Sequence, residues 1–236
     1  SSRPALRRHG FEKAVLKASG LITIPHVVVA VLRKAMLHRA AKPLLGLFSA
    51  LPLVWLMWGA AHDGLGANPA EYVIRATGDW ALRFLCLTLA VTPMRVTLGA
   101  PELARFRRML GLWTYGYVML HALSYSGFDM GFEWPDIVHD IAKRPFIWLG
   151  FSAFVLLTPL ALTSFNRAIR WLGAKRWQSL HRAVYAVAVL AVLHFYWMRA
   201  GKHNFTEVFV YAAILFALLA WRFFRRASKA HVTQRV

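Results

Sequence analysis

Six stretches of this chain are apolar over nearly the length needed to cross a lipid bilayer, and that pattern constrains the fold more than any other. A hydrocarbon core about 30 Å thick is spanned by a helix of roughly 20 mainly apolar residues. The stretches fall at about 44–61, 80–98, 109–128, 146–163, 179–198 and 205–221. The first and fourth carry no charge, and the sixth carries only Glu207, near its start. The second holds Arg83 and Arg95 towards its ends, where long side chains reach the headgroups. Pro52, Pro93 and Pro159 would halt helices in water, but membrane helices tolerate proline when neighbours re-satisfy the backbone. With 58% hydrophobic and 17% charged residues, too little polar surface remains for a water-soluble bundle. The expected fold is all-α, a polytopic membrane protein built as a six-transmembrane-helix bundle.

Charge gives the orientation. Lys and Arg total 29 against 10 Asp and Glu, and short cytoplasmic loops collect the cations. The 95–108 loop holds Arg95, Arg105, Arg107 and Arg108, and the 164–182 segment holds Arg167, Arg170, Lys175, Arg176 and Arg182. The 126–145 loop is acidic, with Asp129, Glu133, Asp136 and Asp140, and the loop around 62–79 carries Asp63, Glu71 and Asp79. Both termini are therefore expected in the cytoplasm. The net charge of +19 marks topology and does not point to nucleic acid.

Three regions follow. Residues 43–224 form the six-helix membrane domain, and 225–236 a basic cytoplasmic tail. Residues 1–42 form a basic N-terminal extension with nine Lys or Arg. Its 13-residue apolar run from Gly20 to Leu32 is broken by Pro25 and His26. That run is short for a span and reads as a segment on the cytoplasmic membrane surface, in contact with lipid. Cys86 is the single cysteine, so no internal disulfide forms.

Ten histidines occur. Seven fall in basic tails, at helix ends or in outer loops: His9, His26, His38, His62, His139, His203 and His231. His121 lies inside the third stretch, and His181 and His194 lie at the beginning and towards the end of the fifth. Ionisable groups at such depth are expensive and point to function. Counted inward from the cytoplasmic arginines, His121 is 13 residues past Arg108 and His194 is 18 past Arg176. The offset of 5 residues is roughly 7–8 Å of helix rise, so His121 pairs better in depth with His194 than with His181.

Two neutral imidazoles on facing helices suit the axial positions of a haem iron, which takes one ligand on each face. Interhelical hydrogen bonding is the plain alternative. One haem is the expectation from this pattern, and His181 leaves a second one open. No GxGxxG on a strand–helix turn, P-loop, HExxH or CxxC is present, so the chain lacks its own flavin or nicotinamide domain. Trp113, Tyr115, Tyr117, Trp177 and Trp197 are read as an interfacial aromatic belt.

Several motifs, in order, carry a resemblance from about residue 44 to 224: GLGANP after the first stretch, VTPMR ending the second and RRMLGLW opening the third. LHALSY, KRPFIWLG and LGAKRWQSLHRAVY follow. Together they make the chain similar to the MsrQ (YedZ) family, haem-binding membrane subunits of the periplasmic protein-methionine-sulfoxide reductase system. The resemblance implies a ferric-reductase-like transmembrane domain in the bacterial inner membrane. It implies haem b on histidines matching His121, His181 and His194, and FMN is also associated with the family. It further implies electrons from quinol or a cytosolic flavin reductase, passed to a periplasmic molybdopterin subunit, MsrP, that reduces methionine sulfoxide. Arg107, Arg108 and Arg176 are candidates for haem propionate contacts. Sulfoxide reduction itself would then occur on the partner. A self-sufficient transmembrane ferric or oxygen reductase and a haem-free transporter or scaffold stand as rival readings.

Overall fold

A computed structural model describes residues 34–200 and 205–233, and among the described residues all regular structure is helical. The helices are α1 (Ala41–Ala61), α2 (Pro69–Thr97), α3 (Ala104–Ser124) and α4 (Trp134–Lys143), then α5 (Pro145–Leu162), α6 (Asn166–His181), α7 (Val184–Ala200) and α8 (Thr206–Thr233). A 3₁₀ turn at Pro101–Leu103 leads into α3, and a π-helical turn at Tyr125–Asp129 ends it. Most of the N-terminal extension, including the apolar run from Gly20 to Leu32, lies outside the described residues, as does His203.

Four helical stretches are long and apolar enough to cross a membrane: Ala41–Ala61, Pro145–Leu162, the run Asn166–Ala200 and Thr206–Arg225. On α1, Leu47, Phe48, Met57 and Trp58 are each 64–66% exposed. A soluble monomer does not turn a helix of such residues to water. The chain is a multi-pass membrane protein. Helices α2 and α3, of 29 and 21 residues, are long enough to cross but carry more charge.

Three segments read as loops are helical. Helix α2 begins at Pro69, eleven residues before the apolar stretch it contains. The Asn68 side chain accepts from the Glu71 N–H at 3.1 Å, and proline stands at the first helical position, where its missing N–H costs nothing. Helix α4 occupies much of the acidic 126–145 loop. The basic 164–182 segment forms α6, broken at Gly173, whose φ of +74° lies in the left-handed region that suits glycine.

Helix α2 packs chiefly on α3, and α5 chiefly on α7, while α8 lies against α2 and α7. Their shared core contains Leu85 and Leu89 of α2, Leu157 of α5, Ala188 and Phe195 of α7, and Leu215 of α8. Pro93 cannot supply the N–H that the Leu89 carbonyl, four residues earlier, would receive. Arg222 of α8 donates to that carbonyl instead, at 2.6 Å. Tyr117 is fully buried, stacks on Phe84 with ring centres 5.3 Å apart, and donates to the Ser49 carbonyl of α1 at 2.9 Å. It ties α1 to α3, and so does not belong to an aromatic belt, which would face lipid.

Candidate functional site

The fold brings His121 of α3 and His194 of α7 together, with ring centres 6.0 Å apart and planes at 76°. Each ring is held by the other helix of its own hairpin. The His121 Nδ1–H donates to the Ile74 carbonyl of α2 at 2.8 Å. The His194 Nδ1–H donates to the Phe146 carbonyl of α5 at 2.6 Å. A carbonyl only accepts, so both imidazoles carry their proton on Nδ1. Each Nε2 keeps a lone pair, and neither has a hydrogen-bond partner among the described residues. Two such nitrogens can ligate one metal from opposite sides. Among the described residues no group of three or more His, Cys, Asp or Glu is placed to hold a metal ion. The pair therefore suits a metal whose remaining ligands arrive with it.

Next to the pair, beyond the C-terminal end of α3, lies a polar clasp. Tyr125, one turn past His121, donates to Asp140 at 2.6 Å, and Arg144 pairs with the same carboxylate at 2.7 Å. Asp140 is buried, so both contacts matter to it. Burial pushes the nearby Asp129 carboxyl above its ordinary range; Arg144 opposes the shift, while Asp140 and Glu71 add to it. A groove of about 800 Å³ between α1 and α2 is lined by Trp55, Tyr72, Asp79, Trp80, Arg83 and Arg199 among others.

At the other end of the bundle a cavity of about 790 Å³ is lined by Arg95, Arg107, Arg108, Lys175, Arg182, Arg222 and Arg225, with no acidic residue in its wall among the described residues. His181 also lines it, stacked on Trp177 with ring centres 4.0 Å apart. The Thr163 hydroxyl donates to the Pro159 carbonyl at 2.6 Å and so accepts from the His181 Nε2–H at 3.2 Å. His181 thus carries its proton on the nitrogen that His121 and His194 leave bare. Arg107 and Arg108 stand 14 and 13 residues before His121 on one helix, about 20 Å along its axis. Both line that cavity. Arg176 is exposed and does not line the cavity.

The sequence reading did not single out Ile74, Gly78, Phe146 or Gly150, which seat the two histidines. A signal for them exists. Gly150 follows Gly78 by 72 residues, Phe146 follows Ile74 by 72, and His194 follows His121 by 73. The hairpins α2–α3 and α5–α7 thus present one arrangement twice.

Residues 77–192 match the family model described as ferric reductase like transmembrane component. That stretch includes His121 and His181 and stops two residues short of His194. The chain is 65% identical over 198 residues to the protein-methionine-sulfoxide reductase heme-binding subunit MsrQ of Polaromonas naphthalenivorans, a match covering 84% of this chain and 90% of that one. The chain belongs to the MsrQ family. MsrQ of Ralstonia nicotianae is 50% identical over 184 residues, covering 78% and 85% of the two chains. MsrQ of Caulobacter vibrioides is 44% identical over 182 residues, covering 76% and 86%. No solved structure matches the chain.

Proposed function

We propose that this chain is the haem-binding membrane subunit of a methionine-sulfoxide reductase system, with a b-type haem held between His121 and His194. The observation that carries the reading is the histidine pair. One iron bound by both imidazoles at about 2 Å would need ring centres about 6 Å apart, and these rings stand 6.0 Å apart. The donor set also fits: both Nδ1 protons are committed to backbone carbonyls, and both Nε2 lone pairs are open. Bound there, haem supplies reversible one-electron chemistry at its iron. The chain's own residues fix the two imidazoles, exclude lipid and water through the α2–α3 and α5–α7 packing, and keep both ligands neutral.

Six crossings by α1, α2, α3, α5, α7 and α8, with both termini cytoplasmic, agree with the cationic 95–108 and 164–182 segments on one side and the acidic 126–145 segment on the other. The membrane is then the bacterial inner membrane, and the domain is residues 43–224, flanked by basic segments at 1–42 and 225–236. In this orientation the histidine pair lies towards the periplasm and the basic cavity towards the cytoplasm. Electrons from quinol or a cytosolic flavin reductase would enter on the inner side and leave to a periplasmic molybdopterin subunit. An anionic group such as a flavin phosphate suits the cationic wall of the cavity. A second haem on His181 would require its Nε2 to give up Thr163.

The test is a single-turnover reoxidation. Purified, pre-reduced protein should be reoxidised by the molybdopterin partner in the presence of methionine sulfoxide. Rapid reoxidation by ferric chelate or oxygen with none by the partner would replace this reading with a self-sufficient reductase. Protein expressed with ample haem but purified without a Soret band would leave only a haem-free role.

A further inference from the structure

The two histidines are seated in the same unusual way, and the seat includes a glycine each time. A Cβ built on Gly78 of α2 would stand 3.1 Å from Nδ1 and 3.2 Å from Cε1 of His121. One built on Gly150 of α5 would stand 2.8 Å from Nδ1 and 2.9 Å from Cε1 of His194. The carbonyl that accepts each imidazole proton, Ile74 or Phe146, lies one helical turn before that glycine. The Nδ1–Cε1 side of each imidazole therefore packs into a notch that only the absent side chain opens, and its Nδ1–H meets the carbonyl one turn earlier. Neither glycine has a positive φ, so backbone freedom does not explain them. In a helix interior glycine costs about 1 kcal/mol against alanine, a loss the bundle bears at both places.

We infer that Gly78 and Gly150 are positioning residues for the haem ligands, setting the plane of each imidazole and its Nδ1–H···O=C bond. The inference rests on the haem reading above. That hydrogen bond fixes the tautomer that leaves Nε2 free and makes the imidazole a stronger donor to iron. A methyl group at Gly150 pushes the ring out of the notch, stretches the bond to Phe146 and turns Nε2 off its axis. At Gly78 the intrusion is smaller, so the effect has the same direction and a lesser size. The two hairpins supply independent instances of one device, which argues against accidental close packing.

The experiment compares purified wild type with Gly150→Ala, Gly78→Ala and Gly116→Ala. Gly116 lies within α3, and a Cβ there meets nothing within 4 Å. The readings are haem retention, the reactivity of the reduced haem with carbon monoxide, and the midpoint potential. Six-coordinate haem refuses carbon monoxide, and haem that has lost an imidazole takes it. Gly150→Ala should retain haem about 10–100-fold less tightly, the usual cost of losing a ligand's supporting contact. It should also become reactive to carbon monoxide and shift to a more positive potential. Gly78→Ala should follow in part, and Gly116→Ala should match wild type. If Gly150→Ala does not accumulate in the membrane, Gly78→Ala decides by the same readings. Wild-type potential and no carbon monoxide reactivity in both seat variants overturn the proposal and leave the haem reading standing. A His121→Ala protein with full low-spin haem overturns the haem reading and this proposal with it.

Discussion

Arg222 of α8 donates to the Leu89 carbonyl of α2 at 2.6 Å, the carbonyl that Pro93 deprives of its helical N–H. A proline kink on one helix thus becomes a specific tie to another, in an environment where an unmatched carbonyl has no water to turn to. Replacing Arg222 by Met should destabilise the bundle by about 1–3 kcal/mol, the cost of an unsatisfied buried acceptor. Pro93→Ala restores the missing N–H, so the same Arg222→Met change should cost less in that background. Unfolding in graded SDS reads both; equal costs in the two backgrounds would break the link between proline and arginine.

The 76° between the imidazole planes of His121 and His194 has a magnetic consequence. With haem held between the two rings as proposed, near-perpendicular ligand planes would leave the iron dxz and dyz orbitals almost degenerate and give a highly anisotropic low-spin ferric signal. Frozen-solution EPR of the oxidised protein should show a single large g-max feature. An ordinary rhombic signal would mean that haem binding rotates one ring.

His181 stands apart from the pair, with its Nε2–H on Thr163 and its ring on Trp177. His181→Ala should leave the low-spin signal of the His121–His194 site in place, whereas His121→Ala or His194→Ala should abolish it. Haem quantification on the His181 variant also decides whether the inner cavity holds a second haem, because only that one would be lost.

Tyr117 offers a cleaner stability measurement. Tyr117→Phe keeps the stack on Phe84 and removes only the bond to the Ser49 carbonyl, a loss of about 0.5–1.5 kcal/mol. Since that bond joins α1 to α3, proteolysis between α1 and α2 should quicken while haem absorbance stays unchanged.

Asp140 holds Tyr125 and Arg144 together beside the histidine pair. Asp140→Ala leaves both partners without their acceptor and should cost about 1.5–3 kcal/mol. Tyr125→Phe should cost less, and SDS unfolding ranks the two.

How far the sequence carries the fold depends on what kind of residue marks each feature. The four most apolar spans were legible because apolar runs of bilayer length have few other uses, and His121 and His194 stood out because imidazole is costly at that depth. The depth count matched the two histidines that the fold brings side by side. The start of α2 was hidden by its charges: Glu71, Arg75 and Asp79 read as loop, although Asn68 and Pro69 in front of Glu71 are a capping signature. The histidine seats were hidden for another reason. A glycine notch and a backbone carbonyl have no side-chain signature, and a spacing of 72 residues becomes visible only when one knows which glycine faces which ring.

The paired hairpins bear on how the protein is made. The bonds from His121 to Ile74 and from His194 to Phe146 close chain segments of 47 and 48 residues, each wholly contained in its own half. A nascent chain can finish the first imidazole and its support before the second hairpin has left the ribosome. Assembly then needs no long-range search for ligands, only the meeting of two prepared halves. The shared core of Leu85, Leu89, Leu157, Ala188 and Phe195 is where those halves join.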